Sequence, residues 1–193
     1  MTVVLVCVGT QALREAANSS EFLPKAEAAL GYPIGIPSGH EEARLVFKGC
    51  ARTLPPSDKR RLVVDIGGAS TEFVVGQDLE AQEYESYHVG CVNTSMKFFA
   101  DGVITAEKLD KAIVACCAEF SEGEHKFNDT KFDEAYGSAG TFGAVSDICV
   151  AQGWSDGEVT PEHLEKIRAL LLRAGNRMMY STLKPLRHGV LSI

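Results

Sequence analysis

The sequence lacks the short motifs that mark several common catalytic and metal centres. It contains no GxSxG, HExxH or GxxxxGK[ST] pattern, and its six cysteines form no CxxC pair. These absences argue against a nucleophile-elbow hydrolase, a zinc protease, a P-loop nucleotide hydrolase and a zinc ribbon. We expect the cysteines to be reduced thiols, and Cys50, Cys116 and Cys117, which lie on or beside apolar helix stripes, to be small buried side chains.

Long apolar runs and basic clusters are missing as well. No uninterrupted apolar stretch approaches the roughly 18 residues that cross a bilayer, and the amino-terminal residues have no signal-peptide pattern. We therefore expect a cytoplasmic protein without a membrane span. The net charge is −7, and no run rich in Lys and Arg offers a face to nucleic acid, so nucleic acid is not an expected partner.

The 193 residues, 45% of them hydrophobic, suffice for one large domain or two small ones. Short apolar strand patterns alternate with helical stripes, which predicts an α/β fold. The charged run TLPPSDKRR, residues 53–61, has two adjacent prolines and is the best candidate for a linker. We therefore predict two units, residues 1–56 and 57–193.

The most informative segment is VVDIGGASTEFVVG, residues 63–76. It predicts two strands joined by a glycine turn, with Asp65 and Glu72 on either side of the turn. Such a turn can direct backbone N–H groups at a phosphate, and the two carboxylates could hold Mg²⁺ beside it. A plain β-hairpin explains the same residues equally well.

A second candidate is SGHEEAR, which begins at Ser38. Ser38 and Glu41 have the spacing of a capping box, in which the Glu41 carboxylate turns back to the helix start. Glu42 then has no structural task and is a candidate general base for a water molecule. The alternative is a solvated surface residue paired with Lys48 or Arg44.

Two further segments could contact phosphate. Arg14, near the start of a predicted helix, could bind phosphate or be an ordinary surface arginine. The small-residue turn at 137–141 lies between a predicted strand and a helix expected from Phe142, and the start of that helix could bind phosphate. A tight turn with a helix cap is the alternative. The candidate binding residues of this turn are Gly137, Ser138, Gly140 and Thr141.

Several segments, in this order along the chain, resemble the exopolyphosphatase and guanosine pentaphosphate phosphohydrolase family of bacteria. They are GTQALREAANSSEFL, YPIGIPSGHEEARLVF, LVVDIGGASTEFVVG, HVGCVNTSMKFF and GSAGT. The resemblance implies an actin-like (ribonuclease H-like) fold with two lobes. It also implies Mg²⁺-assisted hydrolysis of terminal phosphate from inorganic polyphosphate or guanosine pentaphosphate.

The resemblance also assigns roles residue by residue. Glu42 matches the general base, and Arg14 matches the arginine of the T-x-x-L-R segment. Asp65 and Glu72 match the carboxylates of the DIGGGSTE loop that hold the metal. The phosphate cradle of that loop corresponds to Gly67, Gly68 and Ser70.

The sequence departs from the family pattern in three places. The amino-terminal DxGSNS-type loop has no counterpart, so we expect an incomplete first lobe and a chain that associates, for example as a homodimer. Ala69 replaces the third loop glycine, and the glycine-rich helix expected before residues 183–193 is missing. Two other hypotheses therefore stay open: a catalytically weak module that binds a phosphorylated ligand or a partner, and an actin-like ATPase or sugar-kinase relative.

Overall fold

A computed structural model describes residues 4–176 and the backbone of residues 191–192. The α-helices are α1 (Gln11–Glu15), α2 (Ser19–Leu30), α3 (Gly39–Thr53), α4 (Cys91–Phe98), α5 (Ala106–Phe120), α6 (Ala139–Ala151) and α7 (Pro161–Ala174). The strands are β1 (Cys7–Val8), β2 (Ile34–Gly35), β3 (Arg61–Ile66), β4 (Thr71–Gln77), β5 (Glu80–Tyr87), β6 (Glu134–Ser138) and β7 (Leu191–Ser192). A 3₁₀ helix, Ser121–Lys126, follows α5.

The strands form two sheets. β1 and β2 pair in parallel, whereas the larger sheet has the order β5-β4-β3-β6-β7. The central strand β3 is antiparallel to β4 and parallel to β6, so the β3–β4 hairpin and the β6–α6 junction meet at the same end of the sheet. The predicted α/β class and the predicted glycine hairpin are confirmed.

Helix α3 packs on one face of the larger sheet because its apolar residues recur at helical spacing and form one continuous stripe. Ala43, Phe47 and Cys50 are buried there against Val63 and Val74. The helix thus precedes the proposed division at residue 57 but shares a hydrophobic core with the strands that follow it. The division itself stays a prediction.

The first strand is shorter and more exposed than predicted. The β-branched apolar run of residues 2–9 predicts a buried strand, but among the described residues of this run β1 covers only Cys7–Val8, and the side chains of Val4, Val6 and Val8 are more than half exposed. A pair of two-residue strands is too small to cover an apolar segment on both faces. The helical spacing of the apolar residues also predicts a helix through Ala16 and Ala17, but α1 ends earlier because Ala16 is extended with ψ 122°.

Helix ends follow the capping patterns of the sequence more closely, which predict N-caps at Thr105 and Thr160 and a helix end at Gly31. Thr105 and Thr160 cap α5 and α7 through their side chains, and Gly31 ends α2 with φ 78°. The apolar spacing of Leu164, Ile167 and Leu171 predicts a helical stripe that continues to Met178, which lies outside the described residues, as does most of segment 183–193. In the described part of the chain, no helix is both long and apolar enough to cross a lipid bilayer.

All six cysteines are free thiols, as expected. Cys50 is buried, but the prediction of burial is wrong for Cys117, which is exposed. It lies directly after Cys116 on α5. Consecutive side chains of a helix point in different directions, so the two cysteines do not face the same core.

Candidate functional site

Four polar side chains form one row across the larger sheet. In the strand register, Ser138 is opposite Asp65, Asp65 is opposite Glu72, and Glu72 is opposite Ser86. Residues opposite one another in neighbouring strands point to the same face of a sheet. We call these four residues the acidic row, and they lie on the face that α3 covers.

Glu72 is an acidic side chain almost completely removed from solvent. It is 2% exposed, and Ser86 Oγ donates a hydrogen bond of 2.8 Å to its Oε1. Burial raises the pKa of Glu72, and the nearby charges of Glu42 and Asp65 raise it further, while hydrogen bonds from Ser70 and Ser86 oppose the increase. Three carboxylates therefore share one region of low solvent access.

Asp65 lies beside Glu72 at the end of the central strand. Burial raises the pKa of Asp65 too, and the hydrogen bond with the Ser138 side chain partly offsets the increase. The main influences on the pKa of the two carboxyl groups are burial, hydrogen bonds from serine side chains and other carboxylates, and none of them is a basic side chain. The pair is thus a concentration of negative charge.

The carboxylate oxygens of Asp65 and Glu72 are ligands that suit a hard divalent cation. Mg²⁺ is usually held by one or two carboxylates and completes its octahedron with water and substrate phosphate. The described residues contain no group of three or more His, Cys, Asp or Glu side chains placed to hold a metal. Asp65 and Glu72 could therefore bind Mg²⁺ together with a phosphate, but they do not form an all-protein cage.

The loop between β3 and β4, residues Gly67–Ser70, is held by the start of α4. We call it the glycine loop. Its carbonyl oxygens at positions 67, 68 and 69 accept hydrogen bonds from Cys91 N (2.9 Å), Val92 N (2.7 Å) and Asn93 Nδ2 (2.8 Å), respectively. All three of these carbonyl groups are consequently directed toward α4.

The same bonds determine where the N–H groups of the glycine loop point. A trans peptide is planar, with its C=O and the following N–H on opposite sides. The N–H groups of Gly68, Ala69 and Ser70 therefore point away from α4, and none of them has a hydrogen-bond partner among the described residues. The Gly67 N–H is already bonded to Ser70 O at 3.0 Å. The loop thus offers three backbone donors in one direction.

Gly90 makes this close approach of loop and helix possible. A Cβ atom at position 90 would lie 2.4 Å from the carbonyl carbon and oxygen of Gly68 and 2.5 Å from Ala69 N. Those atoms belong to the backbone and cannot move aside like the end of a flexible side chain. Gly90 is therefore required by contact with the glycine loop.

Glu42 and Arg14 are brought together from different parts of the chain. Arg14 Nη2 lies 3.2 Å from Glu42 Oε2, and Arg14 Nη1 donates a hydrogen bond of 2.6 Å to Pro37 O. The alternative prediction, in which Glu42 pairs with Lys48 or Arg44, is wrong. α3 begins next to the acidic row, and Glu42 in its first turn is close enough to influence the ionisation of Glu72.

The predicted capping box at the start of α3 is only half formed. Ser38 accepts a hydrogen bond from Glu41 N at 3.2 Å, as expected. The Glu41 carboxylate does not turn back to the helix start. It binds Arg44, with Oε1 accepting from Arg44 Nη2 at 2.7 Å and Oε2 accepting from Arg44 Nε at 2.8 Å, because a bidentate pair with arginine competes with the cap.

The junction at 137–141 differs from the predicted turn. Helix α6 begins at Ala139 rather than Phe142, so Gly140 and Thr141 form its first turn. Gly137 is the last residue but one of β6, where an added Cβ would lie 2.3 Å from the Phe142 ring, so close packing explains this glycine. Ser138 belongs to the acidic row. Ala139 has φ 67°, a left-handed conformation that costs a non-glycine residue about 1–2 kcal/mol.

Sequence reasoning did not find Ser86, Gly90 or Gly39. The position of Ser86 depends on the register of β4 and β5, which the sequence does not reveal. A Cβ at Gly39 would lie 2.6 Å from Ser86 Oγ, so this glycine lets α3 approach the acidic row. The sequence did contain one signal that could have indicated the two glycines. Each of them, Gly39 and Gly90, lies directly before a helical pattern of apolar residues.

Comparison with known proteins identifies related sequences and folds. A sequence profile described as the Ppx/GppA phosphatase family matches residues 2–189. A guanosine-5'-triphosphate,3'-diphosphate pyrophosphatase of Photobacterium profundum is 40% identical over 149 residues, which are 77% of this chain and 30% of that protein. A putative exopolyphosphatase of Haemophilus influenzae is 35% identical over 167 residues, 86% of this chain and 51% of that protein.

A solved structure shows the same fold. An exopolyphosphatase from Cytophaga hutchinsonii superposes with a TM-score of 0.80 and 19% identity, covering 94% of this chain and 60% of that one. The expected α/β fold is confirmed, and it is shared with this exopolyphosphatase. The chain spans between about a third and a half of the length of the two curated relatives above.

Proposed function

The chain belongs to the Ppx/GppA phosphatase family, and from that membership we propose that it releases terminal phosphate from inorganic polyphosphate or guanosine pentaphosphate. The relatives' names include both an exopolyphosphatase and a guanosine pentaphosphate-cleaving enzyme. The observation that carries the proposal is the position of the three free N–H groups of the glycine loop beside Asp65 and Glu72.

The proposed site binds the terminal phosphate from two sides. The N–H groups of Gly68, Ala69 and Ser70 would donate to its oxygens, as such loops do in many phosphate sites. Arg14 has five N–H donors and uses only part of them on Pro37, Gln11 and Glu42. Its remaining donors could take a second phosphate oxygen, and the first turn of α6 at Gly140 and Thr141 could contribute further donors.

Asp65 and Glu72 would hold Mg²⁺ against this phosphate. When bound, the ion supplies positive charge that stabilises the negative charge on the phosphate oxygens in the transition state. The chain's own contribution is to orient the two carboxylates. Ser138 and Ser86 fix them by hydrogen bonds at the two ends of the acidic row. A bound cation would also relieve the cost of burying two neighbouring charges.

Glu42 is the proposed general base. Its carboxylate lies at the start of α3, over the acidic row, where it can accept a proton from a water molecule that attacks the phosphorus. Arg14 balances the charge of Glu42 and orients it by the 3.2 Å contact. The Arg14 guanidinium would thus contact both the general base and the phosphate.

The test is release of inorganic phosphate by the purified chain from long-chain polyphosphate, guanosine pentaphosphate and ATP, each with and without Mg²⁺. We expect release from the first two substrates that depends on Mg²⁺. Preferential hydrolysis of ATP would favour the actin-like ATPase hypothesis. Tight binding of polyphosphate without any turnover would favour the binding module and reject the hydrolase.

A further inference from the structure

Gln11 is a buried polar residue that the proposed hydrolysis leaves without a task. It is 6% exposed, and its side chain hydrogen-bonds with Arg14, whose Nη2 donates to Gln11 Oε1, and with His88, whose Nδ1 lies 3.0 Å from Gln11 Nε2. Arg14 is on α1, a helix of only five residues, which is too short to hold a long side chain rigidly by itself. The position of Arg14 therefore depends on its neighbours.

The hydrogen bonds around Gln11 can run in only one direction. An arginine side chain donates and never accepts, so Gln11 must present its oxygen to Arg14 and its amide nitrogen to His88. His88 Nδ1 must then accept, which requires a neutral ring with its proton on Nε2. That nitrogen lies 3.1 Å from Glu15 Oε1, a suitable acceptor. We call this series of hydrogen bonds, from Glu15 through His88 and Gln11 to Arg14, the Gln11 chain.

We propose that Gln11 is a positioning residue, which holds Arg14 against Glu42, and that neutral His88 fixes the orientation of the Gln11 amide. This inference rests on the proposed function, because it assigns Gln11 a role in the same hydrolysis. Gln11 acts through Arg14 and touches neither the phosphate nor the attacking water.

Protonation of His88 breaks the Gln11 chain. With a proton on Nδ1, His88 faces the amide nitrogen of Gln11 as one donor facing another. If the amide turns over, its nitrogen then faces Arg14, and the same conflict appears one step further along. Either response removes a hydrogen bond on which the position of Arg14 depends. Hydrolysis should therefore slow in acid as His88 gains its proton.

Other charged groups near His88 come from three helices. Glu15 is on α1, while Lys97 on α4 and Glu119 on α5 line with His88 a small pocket of about 130 Å³. The His88 side chain is 63% exposed, so it can take up a proton without opening the fold. Substitution of His88 alone leaves Glu15, Lys97 and Glu119 in place, and a change in pH profile can then be assigned to the imidazole.

The experiment measures kcat and KM for phosphate release from polyphosphate between pH 5 and 8, the range in which histidine side chains generally change charge. Gln11→Leu should lower kcat by about 10- to 100-fold, the effect of a misplaced catalytic group, while the melting temperature changes little. His88→Asn keeps an acceptor oxygen near the position of Nδ1 that does not take up a proton at these pH values. It should match the parent at pH 8 and lose the decline in kcat in acid.

His125→Asn is the matched control, because His125 is an exposed histidine on the 3₁₀ helix. It should keep the parent's pH profile. Parental kcat in Gln11→Leu, or an unchanged acid decline in His88→Asn, would overturn the positioning role.

The ¹⁵N NMR signals of His88 separate failure of this inference from failure of the proposed function. At pH 8 we expect the tautomer with the proton on Nε2, and a proton on Nδ1 would overturn the Gln11 chain whatever the activity. If His88 has the expected tautomer but the chain releases no phosphate from any substrate, the proposed hydrolysis is rejected, and the positioning role is rejected with it.

Discussion

Arg14 Nη2 and Glu42 Oε2 lie 3.2 Å apart although the two residues are 28 positions apart in the sequence. The side chains are 22% and 17% exposed, so the ion pair is partly shielded from solvent. It places the candidate general base beside a candidate phosphate ligand. The relationship gives Glu42 a defined position even before substrate binds.

Glu42→Gln should abolish most phosphate release while the protein stays folded. The amide keeps the shape of the side chain but cannot accept a proton from water, and a positioned base contributes about 10²–10⁴-fold in rate. The measurement is kcat with polyphosphate, together with the far-ultraviolet circular dichroism spectrum. Glu41→Gln is the matched control, since Glu41 is paired with Arg44 on the surface of the same helix turn, and it should retain activity. Equal turnover in parent and Glu42→Gln would reject the assigned role.

Asp65→Asn should weaken the response to Mg²⁺. The amide keeps an oxygen that can accept from Ser138 but loses the charge that a hard cation prefers. Titration of activity with MgCl₂ should give half-maximal phosphate release at a higher concentration than in the parent. Asp156→Asn changes an exposed aspartate and should leave the titration unchanged. If Asp65→Asn follows the parental curve, Asp65 has a structural role only.

Gly90→Ala should displace the glycine loop. The added methyl group would lie 2.4 Å from the Gly68 backbone, so loop and helix must separate. Overpacking of this kind typically costs about 1–3 kcal/mol, and phosphate release should fall with it. In Gly49→Ala the methyl group meets nothing within 4 Å inside a helix, and stability should rise by about 0.5–1 kcal/mol. Thermal unfolding of both variants checks the contrast; an unchanged melting temperature in Gly90→Ala would contradict it.

Stability should depend on pH through Glu72. Its pKa is raised in the folded protein because of burial, so the folded state holds the proton more tightly than the unfolded state. The resulting stabilisation is complete below the unfolded pKa and is lost as the pH rises through the folded pKa. Glu72→Gln, which has no charge to bury, should gain stability relative to the parent as the pH increases from 4 to 7.

Urea unfolding across this pH range, without Mg²⁺, measures the difference between parent and Glu72→Gln. Glu134→Gln is an informative comparison because Lys59 and Arg61 lower the pKa of Glu134, so that its contribution to stability increases with pH instead of decreasing. Loss of the Glu134 charge should therefore destabilise the protein more at pH 7 than at pH 4. A constant difference between Glu72→Gln and the parent would show that Glu72 ionises alike in both states.

The sequence allowed a large part of the hairpin and of α3 to be predicted. The glycine turn lies symmetrically between Asp65 and Glu72, so their pairing across the turn follows from local pattern alone. The apolar spacing of α3 likewise predicts which side of the helix is buried, because Ala43, Phe47 and Cys50 recur at helical intervals.

The rest depends on contacts between distant segments. The acidic row includes Ser86 and Ser138 only through the register of four strands, and register between separate segments is not contained in local composition. The partner of Glu42 was missed for a similar reason. Arg44 and Lys48 lie on the same helix as Glu42 and are nearer to it in sequence than Arg14. The start of α3 faces α1 in space, however, and this brings Arg14 to Glu42.

The attachment of the glycine loop to α4 has an electrostatic consequence. Each peptide group is a dipole, and the dipoles of α4 sum to a partial positive charge at the helix start. The amide hydrogens there are bonded to the loop carbonyl groups at positions 67 and 68, so those loop peptides continue the helix dipole head to tail. Hydrogen bonds connected in this way polarise one another. The positive end of α4 is thereby moved from Gly90 to the outer N–H groups of the loop, and the helix would contribute to the proposed binding of phosphate without touching it.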